Sequence, residues 1–456
     1  MKHLSEESIS VIEQEIRKIM DKYQAAGLTV SLIDSNGDVL YGNAFGYRNA
    51  ETGDPVENST VFGLASVTKS FTALCIMKMM EDGLLDTDDP VSRYLPEFND
   101  HSGTIRIKHL LTHSAGFWPL HRTTVQEVLD RSRLTLEEDP ADSLILAEKG
   151  ADAVISQMNL ADDFIAPPGI YASYCNDGFG LLSEIIRRHG SYASYNEYLK
   201  QKVLIPLHMN DSGCEFLRTD DRVSFLYRVE NGVRTGDRDF TRSAFALHGG
   251  GAMKSTLRDM KQYLLMFLNR GRPVLGEDSM RRMIIPRIPF GGTSAYGCGL
   301  FIDAIDDQTV YHHGGSLPGV SSAILFSYDL DAAAVVLCNT SGVPVSWIGN
   351  ALMRAAAGKD PLTVPQYSTL SWDEQTIQDA VGTYRSLEEG ESVVLASAGR
   401  EITVNDGEQE YRLSMTGCDK GIIQHPYSVT DVALLRRNGT VYALQYGSRI
   451  YKKDVS

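Results

Sequence analysis

The chain has 456 residues, 43% of them hydrophobic and 22% charged, with a formal net charge of −16. That length allows two or three domains around a large core, in the composition range of ordinary water-soluble globular proteins. The acidic balance argues against nucleic acid and against anionic membrane surfaces as partners.

Ser5 heads the first expected helix, and Ile9, Ile12, Ile16, Ile19 and Tyr23 recur at helical spacing up to Gly27. Glu6, Glu7, Glu13 and Glu15 stand where a secretion signal needs an apolar run. No apolar run approaches the ~20 residues of a membrane span. Six scattered cysteines (Cys75, Cys175, Cys214, Cys298, Cys338, Cys418) form no Cys-x-x-Cys pair. The pattern gives neither a disulfide framework nor a zinc site, and free thiols fit a reducing cytoplasm.

Leu28 to Ile33 and Val39 to Phe45 read as strands joined at Asn36-Gly37. A long apolar helix follows from Phe71 to Glu81, ended by Gly83. Residues 120–166 carry ten Asp and Glu against four Lys and Arg. This is a solvated helical surface or, on a sharper reading, an acidic rim over a cleft. Pro167-Pro168-Gly169 breaks the chain, and helices are expected over Phe179 to Arg188, Tyr192 to Leu204 and Leu257 to Leu268. Four strands follow at Gly297 to Ile302, Thr309 to His312, Val320 to Ser327 and Ala333 to Asn339, then a helix from Trp347 to Ala357. Pro361 to Ser371 reads as a linker. Beyond Trp372 six short β-rich runs alternate with turns such as Asn405-Asp406-Gly407 and Asn438-Gly439, the pattern of a small closed barrel.

The chemistry concentrates at Ser66-Val67-Thr68-Lys69, where the apolar helix begins. Residues three apart share a helix face, so the Ser66 hydroxyl and the Lys69 amine point the same way. Serine becomes a nucleophile when a neighbouring base takes its proton, and a lysine serves once its pKa falls. Alone, the pair reads as well as a helix N-cap serine with an exposed lysine. Two further motifs follow it: Tyr174-Cys175-Asn176 and His313-Gly314-Gly315. Tyr-x-Asn recurs at Tyr41 and Tyr47, inside the first hairpin, and His-x-Gly recurs at His101, His248 and His312. Tyr171 competes with Tyr174. Gly-x-Ser-x-Gly, His-Glu-x-x-His, the P-loop and the dinucleotide glycine fingerprint are missing from the sequence. Neither a metal nor a cofactor is inferred.

These three motifs, in this order, resemble the serine β-lactamase and penicillin-binding protein superfamily, in its branch of esterases, D-aminopeptidases and class C-like β-lactamases. The resemblance covers roughly residues 10–357 and extends to Leu110–Gly116 and Leu317-Pro318-Gly319. The Pro318-Gly319 pair selects His313 over His312, and the spacing from Pro168-Gly169 selects Tyr174 over Tyr171. The resemblance implies an α/β fold, an antiparallel sheet flanked by helices beside an all-helical lobe, over residues 1–360. It implies catalysis by Ser66, Lys69 and Tyr174, and substrate binding by Asn176, His313, Gly315 and Ser316. The backbone N–H groups of Ser66 and Ser316 would form an oxyanion hole.

The tail from 372 to 456 resembles the lipocalin-like barrel appended to some members. Two roles stay open for it: covering the cleft, or joining subunits into a homo-oligomer. The expected activity is hydrolysis of small esters, amides or D-amino-acid peptides through an acyl-enzyme. A β-lactamase or DD-carboxypeptidase, and a catalytically silent scaffold, are the alternatives. Histidine at 313 supplies less positive charge than lysine would, which points to esters above β-lactams.

Overall fold

The computed structural model describes the chain except residues 1–3, 100–103, 120–126, 128–139, 162, 215–219, 239–247, 293, 389 and 455–456, with backbone alone over 140–147. Helix α1 (Glu6–Lys22) starts as its sequence dictates: the Ser5 hydroxyl accepts the Ser8 N–H at 3.1 Å, and Glu6 and Glu7 face the positive end of the helix dipole. Strands β1 (Gly27–Ile33) and β2 (Val39–Asn49) form the expected hairpin, with Gly37 at φ 84° in the turn.

Further along come β3 (Asp54–Pro55), α2 (Thr68–Glu81), α3 (Asn176–His189), α4 (Leu257–Leu268), β4 (Ile288–Pro289), β5 (Ala295–Tyr296), β6 (Phe301–Ile305), β7 (Gln308–Leu317), β8 (Val320–Ser327), β9 (Ala332–Cys338) and α5 (Val345–Ala356). The nine strands make one sheet in the order β3-β2-β1-β9-β8-β7-β6-β5-β4. First and last strands therefore meet: β1 pairs antiparallel with β9, Leu28 opposite Cys338.

Side chains alternate across the sheet with the period of two that strands impose. Ile324, Phe326, Val335 and Leu337 face the core shared with α2 and α4. Ala323, Leu325, Ala334 and Val336 face the core shared with α1 and α5. Helix α2 is apolar nearly all round, so it is buried in the helical lobe rather than laid on its surface. Phe71 anchors it by stacking on Tyr263 of α4 at 3.8 Å between ring centroids. Loss of such a ring costs about 3–5 kcal/mol.

The tail folds into nine strands: β10 (Gly382–Arg385), β11 (Ser392–Ala398), β12 (Glu401–Asn405), β13 (Glu410–Arg412), β14 (Ser414–Gly417), β15 (Lys420–Gln424), β16 (Val429–Arg437), β17 (Thr440–Tyr446) and β18 (Arg449–Lys453). Their order is β13-β12-β11-β10-β18-β17-β16-β15-β14. The two end strands are consecutive in the chain, so the sheet curls into a nearly closed barrel around Tyr384, Leu395, Val404, Leu434 and Leu444. Strands β10 and β18 escape the sequence reading because they are short and, in β18, rich in charge. One of the six expected β-rich runs, around 411–415, is split in two at the buried Leu413.

The barrel docks on the helical lobe. Ile165 and Ala166 pack with Leu435, Ala443 and Ile450, and the Ile165 carbonyl accepts from Tyr442 Oη at 2.9 Å and Arg437 Nη2 at 3.0 Å. Among the described residues no helix is long and apolar enough to cross a membrane.

Candidate active site

Ser66 lies on a 3-10 turn, Ala65–Val67, that runs directly into α2. Ala65 before it has φ 47°, a left-handed conformation that costs a residue with a Cβ about 1–3 kcal/mol. Thr68 holds that carbonyl, its hydroxyl donating to Ala65 O at 2.5 Å and accepting the Met253 N–H at 3.1 Å. One turn on, the fully buried Lys69 brings its amine 3.1 Å from Ser66 Oγ. The amine also meets Asn176 Oδ1 at 2.8 Å and the Gly250 carbonyl at 2.7 Å.

Those two oxygens can only accept, whereas a hydroxyl can donate. An ammonium donates to all three oxygens; once neutral, the amine keeps two N–H groups for the carbonyls and turns its lone pair to the Ser66 hydroxyl. The electrostatics agree. Burial, and then the positive charge of Arg449, lower the Lys69 pKa to about 7. Burial raises the Tyr174 phenol above its ordinary value, although a hydrogen bond with Ser66 opposes the rise. At neutral pH the phenol is protonated while the amine is poised to lose its proton.

Tyr174 is held by the loop after the Pro167-Pro168-Gly169 break. The Cys175 N–H donates to His113 Nδ1 at 3.1 Å, the Ser173 N–H to the His113 carbonyl at 2.9 Å, and the His113 ring lies 4.4 Å from the Tyr174 ring. Tyr171, by contrast, is 37% exposed and its side chain does not line the main cleft. Asn176 opens α3, which aims its amide at Lys69.

Strand β7 closes the other wall. A Cβ on Gly315 would lie 2.2 Å from the Leu64 carbonyl and 3.1 Å from Ser66 N, so only glycine lets this strand press against the Ser66 turn. The β6–β7 register ends at His312, which leaves the outer edge of residues 313–317 without a β6 partner beside the cleft.

His313 stands in the wall of the cleft, and its own hydrogen bonds define its state. Its Nδ1 meets the Gly314 carbonyl at 2.6 Å, which can only accept, so Nε2 is bare and takes the Tyr296 hydroxyl at 3.1 Å. Burial lowers its pKa to about 3. The ring is neutral, and its single N–H is engaged by the Gly314 carbonyl. His312 points the other way, to Asp303 at 2.7 Å.

Two site residues escaped the sequence reading, and both come from the barrel. Glu388 Oε1 accepts from Asn176 Nδ2 at 2.8 Å, and its Oε2 accepts from Arg449 Nε at 2.7 Å. Arg449 also lies 5.3 Å above the Tyr174 ring, and Ser448 O accepts the Tyr174 N–H at 2.8 Å. A carboxylate accepts only, so Glu388 fixes which end of the Asn176 amide faces Lys69. No motif announces these residues; a charged pair in a β-rich tail is ordinarily solvated. The expected acidic rim lies mostly on residues outside those described. Where it is seen, Glu148 pairs with Arg187 at 3.0 Å and Asp163 with Lys452, away from the cleft.

The Beta-lactamase family model matches residues 12–359. Penicillin-binding protein 4* of Bacillus subtilis (strain 168) is 25% identical over 332 residues, 70% of this chain and 69% of that protein. Protein flp of Staphylococcus aureus (strain N315) is 24% identical over 349 residues, 74% of this chain and 64% of its own length, so the chain spans under two thirds of that relative. Among solved structures, the octameric penicillin-binding protein homologue from Pyrococcus abyssi superposes with a TM-score of 0.70 at 25% identity, covering 98% of this chain and all of the other. SurE with D-Leu superposes at 0.70 with 20% identity over 99% of this chain and 100% of its own, a likeness of fold alone.

Proposed function

The chain belongs to the Beta-lactamase family, and from that premise we propose that it is a serine hydrolase working through an acyl-enzyme on Ser66. The observation that carries the reading is the fully buried Lys69 amine held 3.1 Å from Ser66 Oγ, where burial lowers its pKa to about 7 so that it can take the Ser66 proton. Ser66 Oγ attacks the substrate carbonyl while its proton passes to Lys69. The backbone N–H groups of Ser66 and Ser316 receive the oxyanion. Tyr174 gives its proton to the leaving group and recovers one from Lys69. Water then repeats the sequence in reverse and frees Ser66.

The open edge of residues 313–317 suits the main chain of a peptide-like substrate. Small esters, amides and D-amino-acid peptides are the proposed substrates. Residues 1–360 form the hydrolase domain and 372–456 a barrel domain that supplies Glu388 and Arg449 to its cleft. The octameric state of the Pyrococcus abyssi homologue supports self-association of this chain, to be measured by light scattering on the eluted protein.

A penicillin-accepting site is the second reading, favoured by the name of the Bacillus subtilis relative. A higher kcat/KM for nitrocefin than for a short p-nitrophenyl ester would select it. The decisive experiment for both is mass spectrometry after a fluorophosphonate or penicillin probe. An adduct on Ser66 is expected, and its absence with both probes would favour a silent scaffold.

A further inference from the structure

The cavity that contains Ser66, Tyr174 and Asn176 has a volume of about 1450 Å³ and runs on, past Pro318 and Ser346, to a group of aromatic rings. Ligand pockets usually measure about 300–1000 Å³, so a short ester fills only one end of this one. The far end is built from three distant segments. Tyr23 caps α1, Trp347 stands in the first turn of α5, and Tyr427 sits on the barrel loop between β15 and β16. Tyr427 lies 6.1 Å from Tyr23 and 6.0 Å from Trp347, ring centroid to centroid, at tilts of 59° and 67°. All three rings are half-buried, packed on the core behind them while still lining the cavity.

Resting on the hydrolase reading, we infer that this end is a subsite for an aromatic or bulky apolar side chain of an extended peptide whose scissile bond lies at Ser66. Tilted rings offer edges and faces to a further ring, which such clusters favour. The Lys22 ammonium is 5.0 Å from the Tyr427 ring and 5.6 Å from the Tyr23 ring, so the cation position over these faces is already taken. That argues against a cationic ligand. A lipid chain is also disfavoured, because the neighbouring wall carries Gln409, Gln424 and His425. Between the two ends runs the open edge of residues 313–317, along which a main chain can lie.

The test uses penta-alanine and its two variants with phenylalanine at either end, in L and D series. Their binding to the full-length Ser66→Ala chain is measured by calorimetry, so turnover does not enter. One phenylalanine peptide should bind at least about tenfold more tightly than penta-alanine. In the Ser66→Ala background, Tyr427→Ala should erase that preference and Tyr427→Phe should keep it. With Ser66 intact, Tyr427→Ala should leave short-ester turnover and probe labelling of Ser66 unchanged. Equal binding of all the peptides, or a preference that survives Tyr427→Ala, would overturn the subsite. Failure of Ser66 to label with any probe would instead overturn the hydrolase reading, whatever the peptides do.

Discussion

Ser66 and Lys69 meet because they are three residues apart on one helical path; any chain that helical there would bring them together. Glu388 meets Asn176 across 212 residues, and only the docking of the barrel on the helical lobe produces that contact. The family-matched region thus holds Ser66 and Lys69, while the barrel sets the orientation and charge around them. Local spacing encodes the proposed nucleophile; tertiary assembly tunes its proposed base. Arg449 lowers the Lys69 pKa and Glu388 raises it, so two barrel charges act on the same amine with opposite sign.

The largest effects belong to the locally encoded pair. Ser66→Ala and Lys69→Ala should each lower kcat on a short ester by about 10³-fold or more, and nearly equally, since they act as one unit. Ser66→Ala should melt near the wild-type temperature, because the hydroxyl caps no helix and its hydrogen bond with Lys69 is worth only about 1 kcal/mol. Next comes Tyr174→Phe, which removes only the hydroxyl and should lower kcat by roughly 10²–10⁴-fold. Tyr171→Phe should leave kcat near wild type; the reverse ranking would place the proton donor elsewhere.

Smaller effects should come from the barrel, and these sharpen the comparison most. Glu388→Gln and Arg449→Gln should each cost about tenfold in kcat/KM, on the order of one or two lost charge-assisted hydrogen bonds. Their pH profiles should move apart. Removing the Arg449 charge lifts the Lys69 pKa, so activity appears at higher pH; removing the Glu388 charge moves the rise to lower pH. If neither profile moved, the barrel would serve as scaffold alone.

The smallest effect concerns docking. Burial and the facing Asp303 raise the Asp431 pKa to about 6, with Lys420 opposing. A carboxyl raised in the folded state gives stability at low pH that is lost as pH rises through about 6. Asp431→Asn should therefore raise Tm at pH 8 more than at pH 4, by thermal melts at both.

The same division separates what was legible in the sequence from what was not. The first hairpin, α1, α2 and the strands β8 and β9 follow from periodicity and turn chemistry, because each is stabilised by its own pattern. Ser66, Lys69, Tyr174 and Asn176 were legible as short motifs, and the structure gathers them within hydrogen-bonding reach. His313 was legible as a position and as a weaker charge than lysine, but its hydrogen bond to Tyr296, seventeen residues away, was not. Glu388 and Arg449 carried no signal, since only the assembled fold buries Glu388 and half-buries Arg449 beside it. Expected strand Gly297 to Ile302 starts late because Gly299, at φ 73°, turns the chain where a Cβ would strike Ala73 at 2.7 Å.

The central claim is that a neutral Lys69 takes the Ser66 proton. The most direct measurement is the rate of Ser66 acylation by a fixed, non-ionising ester, followed by stopped flow from pH 5 to pH 9. A rise governed by one group with a pKa near 7, which shifts upward in Arg449→Gln, is the predicted result. A rate that is flat across this range, or that rises only towards the ordinary lysine value of about 10.4, would contradict it.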